Sequence, residues 1–207
     1  FFEVFKKKLL SFMKKCFLLG ICIFSAALLC AENSVNLPIR NQAIDETILR
    51  ESIASVQRGV DFLTDHQLEN GSWCNHPAIT GLACMALAKS ESKRNPQIRI
   101  EAMEKGRKYI LSFVQKDGAI WVAGQQNEYP NYTTAICLST LAIIGNAEDE
   151  GIMRNARKYL IDSQLDENNP GNPTDKDNPF YGGIGYGKSG PGGPDLSNTQ
   201  WALEALY

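Results

Sequence analysis

The sequence predicts an all-α protein built from three repeated pairs of helices. Three amphipathic segments share an aromatic residue at the same place: Phe62, Tyr109 and Tyr159. Each is followed by an apolar segment rich in small residues, at 80–88, 134–142 and 199–207. An amphipathic helix followed by an apolar helix is typical of a two-layer repeat, because no pair can bury its apolar face alone. The chain has no strand-like alternation and no βαβ pattern.

The N-terminal part predicts export. Residues 1–12 precede the first methionine and are interpreted as an upstream or non-structural segment. Residues 13–31 have the layout of a signal peptide, with two lysines, a charge-free apolar run at 16–29 and small residues before polarity returns. We expect cleavage after Ala31, a linker at 32–44, and a periplasmic or secreted protein. The apolar run is short for a membrane span, so no stable span is expected after cleavage.

The first helix pair lies in the repeat domain that we assign to residues 45–207. Its first helix places Val56, Val60, Phe62 and Leu63 at helical spacing among charged residues. Its second helix is apolar almost all round, which indicates burial, and Pro77 suits its first turn. We therefore expect one partly exposed helix and one buried helix in this pair.

The second and third pairs repeat this order with longer connections. Gly145 is expected to end the second buried helix, and the acidic residues 148–150 that follow are expected to form a solvated turn. In the third pair, Asp195 and Ser197 are expected to cap the last helix, with Ser197 and Gln200 as a capping box. Because Tyr207 lies inside an apolar helical pattern, we expect the chain to be part of a longer protein.

A motif in the first pair resembles a known family. Its residues are Arg58, Gly59, Phe62, Leu63, Gln67, Gly71 and Trp73. They resemble the QW motif of squalene–hopene cyclases and related prenyltransferases. That motif has a basic, a small, an aromatic and an aliphatic residue, followed by Gln, Gly and Trp. The resemblance spans residues 45–207. It implies an α/α toroid, in which a ring of inner helices lies inside a ring of outer helices, with three helix pairs in this part of the ring.

The later copies depart from the motif. The second has Gln115, Gly118 and Trp121, but its glutamine comes one residue late, so that Val114 takes the glutamine position. The third keeps Gln164 and then enters a long Gly-rich stretch. We interpret the motif residues as structural: the glutamine amide satisfies free carbonyls, the glycine permits a turn, and the tryptophan packs on the neighbouring pair.

Composition excludes some functions. The formal net charge is −2, without a basic stripe, so no nucleic-acid partner is expected. Three cysteines remain after the predicted signal peptide, an odd number that argues against a disulfide scaffold, and Cys84 and Cys137 are expected in the core. Cys74 and His76 form the one close Cys/His pair, which falls short of a zinc site. We predict no metal and no cofactor.

The loop from Asp166 to Pro194 is the most distinctive feature, because long loops in compact domains are often functional. The candidate ligand-binding residues in and after this loop are Tyr181, Tyr186, Asp195, Asn198 and Trp201. Aromatic rings at one mouth of the cavity could stabilise cations or stack on sugars. The alternative is that Asp195 only caps the helix and the aromatics only pack the loop. Similar stretches occur in exported relatives of the squalene-cyclase repeat family.

Three functions remain open. The leading hypothesis is an exported toroid that binds a ligand or partner in its central cavity, such as an apolar small molecule, a glycan or an envelope protein. The second is a terpenoid cyclase or prenyltransferase, although the DxDD-type acid motif of those cyclases is not found in these residues. The third is a polysaccharide-active enzyme on the same fold. No catalytic residue is assigned.

Overall fold

A computed structural model describes residues 45–90, 95–124, 129–170, 173–187 and 193–207. These residues form six α-helices and a short 3-10 helix, without named strands. The α-helices are α1 (Glu46–Asp65), α2 (Pro77–Lys89), α3 (Pro96–Leu111), α4 (Pro130–Ile144), α5 (Glu150–Asp162) and α6 (Leu196–Leu206). The all-α prediction is confirmed. The predicted upstream segment, signal peptide and linker (1–12, 13–31 and 32–44) lie outside the described residues.

Three apolar helices pack side by side. Helix α4 is central: it contacts α2 on one side and α6 on the other, and α5 packs across it. Nine of its residues are buried, whereas α1 buries only Val60. The core therefore lies along α4, as expected for a helix that is apolar all round. Cys137 lies in this core and Cys84 in a second buried cluster with Trp73 and Leu87, and both thiols are free. Burial raises the pKa of the Cys84 thiol to about 12.

One threonine near the start of each apolar helix makes the same contact in all three pairs. Its hydroxyl accepts a hydrogen bond from a turn N–H and faces the carbonyl of the same turn residue. The pairs are Thr80 with Trp73 (3.1 Å from N), Thr134 with Ile120 (2.9 Å) and Thr199 with Ile184 (3.2 Å). All three threonines are buried. A hydroxyl can accept and donate at once, so one side chain satisfies both backbone groups of the turn.

We expect Thr134→Val to lower the free energy of unfolding by about 1–3 kcal/mol, because the buried N–H of Ile120 would lose its acceptor. Thr140→Val is the control. It is equally buried, but its hydroxyl bonds only to the Ile136 carbonyl within the same helix. Urea unfolding of the two variants measures the difference. An equal loss in both would show that the contact to the turn contributes nothing of its own.

A glycine in the turn of each of the first two pairs allows close contact with the next pair. Gly71 has φ +85°, and a Cβ built on it would lie 2.6 Å from the carbonyl oxygen of Lys105 in α3. Gly118 has φ +90°, and its Cβ would lie 2.6 Å from the carbonyl oxygen of Asn155 in α5. Only glycine meets both demands, the positive φ and the close backbone approach. The same contact thus recurs from the first pair to the second and from the second to the third.

The structure aligns the three turns residue by residue. Val114 bridges to Ile120 as Gln164 bridges to Ile184, so Val114 does occupy the glutamine position of the second copy. Ile120, rather than Trp121, stands where the first copy has Trp73, since both bond to the threonine. Gln115, one residue late, donates its amide to the carbonyls of Phe113 (2.8 Å) and Trp121 (3.0 Å). Trp121 is therefore a partly buried neighbour of the turn.

The Gly-rich stretch of the third copy preserves the same turn. The N–H of Leu165 bonds to the Gly183 carbonyl (2.9 Å), and that of Gly182, at φ +88°, bonds back to Leu165 (2.6 Å). Residues 166–181 are inserted between them, where the first copy has only residues 69–70. Within the insertion, the N–H of Thr174 bonds to the Asp166 carbonyl (2.9 Å). The long loop is thus an elaboration of a repeat turn.

The motif residues of the first copy join neighbouring elements. The Gln67 amide donates to the carbonyls of Gly71 and Ala102, both at 2.8 Å, and so ties α1's end to α3. Trp73 is buried and its indole N–H donates to the Leu63 carbonyl at 3.0 Å. In the third copy, the Gln164 amide donates to the Gly182 carbonyl at 2.9 Å. These contacts support the structural interpretation of the motif.

Two local predictions are wrong. The acidic turn is not wholly solvated: Asp149 is 1% exposed and receives two bonds from Arg107, at 2.6 and 2.7 Å. The capping box does not form, because Asp195 caps α6 and places Ser197 inside the first turn. Gln200 instead donates to Glu204 at 3.2 Å. Asp149 pairs with a residue distant in sequence, and Asp195 takes the cap position instead of Ser197. The local sequence pattern therefore misled both predictions.

Candidate functional site

The end of the long loop is fixed on the start of α4. The backbone N–H of Asn131 donates to the Tyr186 carbonyl oxygen at 3.1 Å, and its side-chain amide donates to the Gly185 carbonyl at 2.9 Å. Asn131 is 1% exposed. Its two bonds position Tyr186 beside the N-terminal end of α4, where Tyr129 precedes Pro130.

The start of α6 meets the same loop. The Asp195 carboxylate accepts from the backbone N–H of Asn198 at 2.8 Å and from the Asn198 side-chain amide at 2.7 Å. The nearby Tyr186 hydroxyl also stabilises the ionised form of Asp195. Partial burial opposes ionisation of Asp195, but these bonds outweigh it and hold its pKa below the usual range. The nearby Asp195 carboxylate raises the pKa of Tyr186 in turn.

Four aromatic rings gather at this end of the two helices, and we call them the aromatic surface: Tyr129, Tyr132, Tyr186 and Trp201. The ring centroids of Tyr129 and Tyr186 are 4.9 Å apart and tilted by 49°. Those of Tyr132 and Trp201 are 5.9 Å apart at 60°. Tyr129 and Tyr186 are 48% and 40% exposed, and the other two rings are half-buried. The surface therefore offers ring faces and edges to solvent.

Two buried amide oxygens near the aromatic surface lack a hydrogen-bond partner. They are Oδ1 of Asn131 and Oδ1 of Asn198. The side-chain nitrogens of both residues already donate to oxygens, so the network fixes which atom is the oxygen. A buried acceptor without a partner costs free energy unless water or a ligand supplies a donor. The starts of α4 and α6 therefore each hold an acceptor that a water or a ligand could satisfy.

The structure brings together four of the five predicted ligand-binding residues: Tyr186, Asp195, Asn198 and Trp201. Tyr181 is buried, and its hydroxyl donates to Glu167 within the insertion, so it supports the loop. Sequence reasoning missed Tyr129, Asn131 and Tyr132. Two tyrosines flanking Pro130 and Asn131, at the start of a buried helix, were the available signal.

The Cys74–His76 pair is explained by local structure. His76 caps α2, with Nδ1 accepting from the Ala78 N–H at 3.2 Å, and Cys74 is exposed at a left-handed φ of +56°. Across the described residues, no group of three or more His, Cys, Asp or Glu side chains is placed to hold a metal ion.

None of the described helices is both long enough and apolar enough to cross a membrane.

No protein-family model, no curated protein and no solved structure matches this chain.

Proposed function

We propose that this protein is an exported member of the squalene-cyclase and prenyltransferase repeat class, that its helix pairs belong to an α/α toroid, and that it binds a glycan at the aromatic surface. The aromatic surface carries the functional part of this proposal. The motif around Gln67, Gly71 and Trp73 supports the class, and the repeated glycine contact between successive pairs supports a regular array of helix pairs.

A glycan fits the mixed character of the aromatic surface. Sugars present C–H faces that stack on aromatic rings, and hydroxyl groups that need polar partners beside those rings. Here the exposed ring of Tyr186, which packs on Tyr129, lies near the Asp195 carboxylate. Asp195 in turn accepts a hydrogen bond from Asn198, whose amide oxygen is buried without a partner. A purely apolar ligand would supply no donor to the Asn198 amide oxygen, which has no partner within the protein, and this lowers affinity.

The ionisation state of Asp195 favours a binding role over a role in acid catalysis. A carboxyl that starts a carbocation reaction must keep its proton, and burial without hydrogen-bond donors raises the pKa to achieve this. Asp195 has the opposite environment, with donors from Asn198 and Tyr186 that lower its pKa. It is therefore ionised at neutral pH and serves as an acceptor.

We expect cellohexaose, chitohexaose or mannohexaose to bind the purified protein, and Tyr186→Ala and Trp201→Ala each to weaken binding at least about tenfold, or 1.4 kcal/mol. Isothermal titration calorimetry measures the affinities. Phe62→Ala is the matched control, since Phe62 is an exposed ring on α1 and should leave affinity unchanged. Binding of none of the three sugars, or equal affinity in all variants, would refute the proposal.

A further inference from the structure

The negative charge of Asp195 is not neutralised by a side chain of the opposite charge. Its carboxylate accepts hydrogen bonds from the backbone N–H and the side-chain amide of Asn198, and the Tyr186 hydroxyl lies nearby. None of the described Lys or Arg residues forms an ion pair with it. Asp195 is also only half-buried, so a ligand at the aromatic surface can approach it from solvent. A fixed negative charge beside a binding surface attracts positively charged ligands.

The exposed tyrosine rings near this charge also favour a cation. The ring centroids of Tyr129 and Tyr186 are 4.9 Å apart, and the two side chains are 48% and 40% exposed. An ammonium group over the face of a tyrosine ring is attracted by the negative charge of that face. A carboxylate and an aromatic face that lie close together can therefore bind the same ammonium group.

The two helix starts at the aromatic surface offer little to an anion. Anions bind at helix N-termini through free backbone N–H groups. At the start of α4, Pro130 has no N–H, and the N–H of Asn131 already donates to the Tyr186 carbonyl oxygen at 3.1 Å. At the start of α6, the Asp195 carboxylate accepts from the N–H of Asn198 and would repel an anion. Acidic glycans are therefore disfavoured at this surface.

We propose that the ligand of the aromatic surface is a glycan of amino sugars, whose free ammonium groups bind between the Tyr186 ring and the Asp195 carboxylate. This inference rests on the proposed glycan-binding function and adds the charge of the ligand to it. An amino sugar offers a C–H face to the rings and an ammonium group to the carboxylate, so both parts of the surface gain a partner. A neutral sugar would leave the charge of Asp195 without a counterion.

Isothermal titration calorimetry at about pH 5.5, where Asp195 is ionised and sugar amines are protonated, tests the charge of the ligand. It compares hexaglucosamine with chitohexaose, which has the same backbone but carries N-acetyl groups in place of ammonium groups. We expect hexaglucosamine to bind at least about tenfold more tightly, and this difference to shrink as salt is added. Equal affinity for the two sugars would overturn the inference and leave the proposed function standing. If neither sugar binds, and cellohexaose and mannohexaose do not bind either, both the inference and the proposed function fail.

Asp195→Asn tests the residue on which the inference depends. Asparagine also caps helices, so the variant should lose the charge and keep α6, which circular dichroism can verify. We expect its preference for hexaglucosamine over chitohexaose to fall below about threefold. Asp45→Asn is the matched control, because Asp45 caps α1, accepts from the Thr47 N–H at 2.7 Å and changes the net charge equally. A preference that survives Asp195→Asn, or that Asp45→Asn also removes, would overturn the inference.

Hexalysine distinguishes an amino sugar from a cationic peptide. Its ammonium groups lie on flexible chains, without the C–H face of a sugar ring that can stack on Tyr129 and Tyr186. We therefore expect hexaglucosamine to bind more tightly than hexalysine at the same salt concentration. The reverse order would show that the surface binds a basic peptide and would overturn the assignment to an amino sugar.

Discussion

Gly118→Ala is expected to lower the free energy of unfolding by about 2–4 kcal/mol. The new methyl group would meet the Asn155 carbonyl oxygen at 2.6 Å, and alanine would have to adopt φ +90°. The Asn155 carbonyl cannot move away easily, because it belongs to the backbone of α5. The loss of stability should appear as a lower urea concentration at the unfolding midpoint. It should also weaken the packing of the third pair against the second.

Gly124→Ala separates the two causes of this loss. Gly124 also has a positive φ, +86°, but a Cβ there would meet nothing within 4 Å. It should therefore cost only the backbone strain, about 1 kcal/mol. Gly71→Ala, which meets the Lys105 carbonyl, should behave like Gly118→Ala. Equal effects at Gly118 and Gly124 would show that the close approach between helix pairs contributes little.

Asp149→Ala is expected to cost about 3–5 kcal/mol, because it would leave the guanidinium of Arg107 buried without its main partner. Asp149 binds Arg107 through Nε and Nη2, and both side chains are almost fully buried. This bidentate pair connects α3 to the 3-10 helix (Ala147–Asp149) before α5. Thermal unfolding by circular dichroism measures the cost.

Two further variants sharpen this prediction. Glu148→Gln should change stability little, since Glu148 approaches the same arginine at 3.6 Å but is 84% exposed. Replacing both partners, Arg107→Met with Asp149→Leu, should cost less than Asp149→Ala alone, because no buried charge remains unpaired. A double variant less stable than either single variant would contradict this account of the pair.

The helices were predictable because their signals are local. Amphipathic patterning placed the first helix of each pair, and apolar segments rich in small residues placed the second. Pro77 and Asp195 marked two helix starts, and Gly145 marked a helix end. The recurrence of threonine at the start of each apolar helix was visible in the sequence. Its role in binding the preceding turn was not, because that contact depends on how the turn folds back over the helix.

The errors concern partners distant in sequence. Asp149 looked like a solvated residue because Arg107, its partner, lies 42 residues earlier. The candidate site was only partly foreseen for the same reason: Tyr129 and Tyr132 meet Tyr186 and Trp201 only after α4 packs against α6. The sequence marked the loop and the start of α6, but not the second helix start that completes the aromatic surface.

The most direct test of the proposed function is a nitrogen–proton correlation NMR titration with cellohexaose, chitohexaose and mannohexaose. We predict that one of these sugars shifts the backbone amides of Tyr132, Tyr186, Asn198 and Trp201, and that the indole N–H of Trp201 shifts with them. The chemical shifts of the α1 backbone amides should not change. Shifts confined to other helices, or no shifts with any of the three sugars, would contradict a glycan-binding role for the aromatic surface.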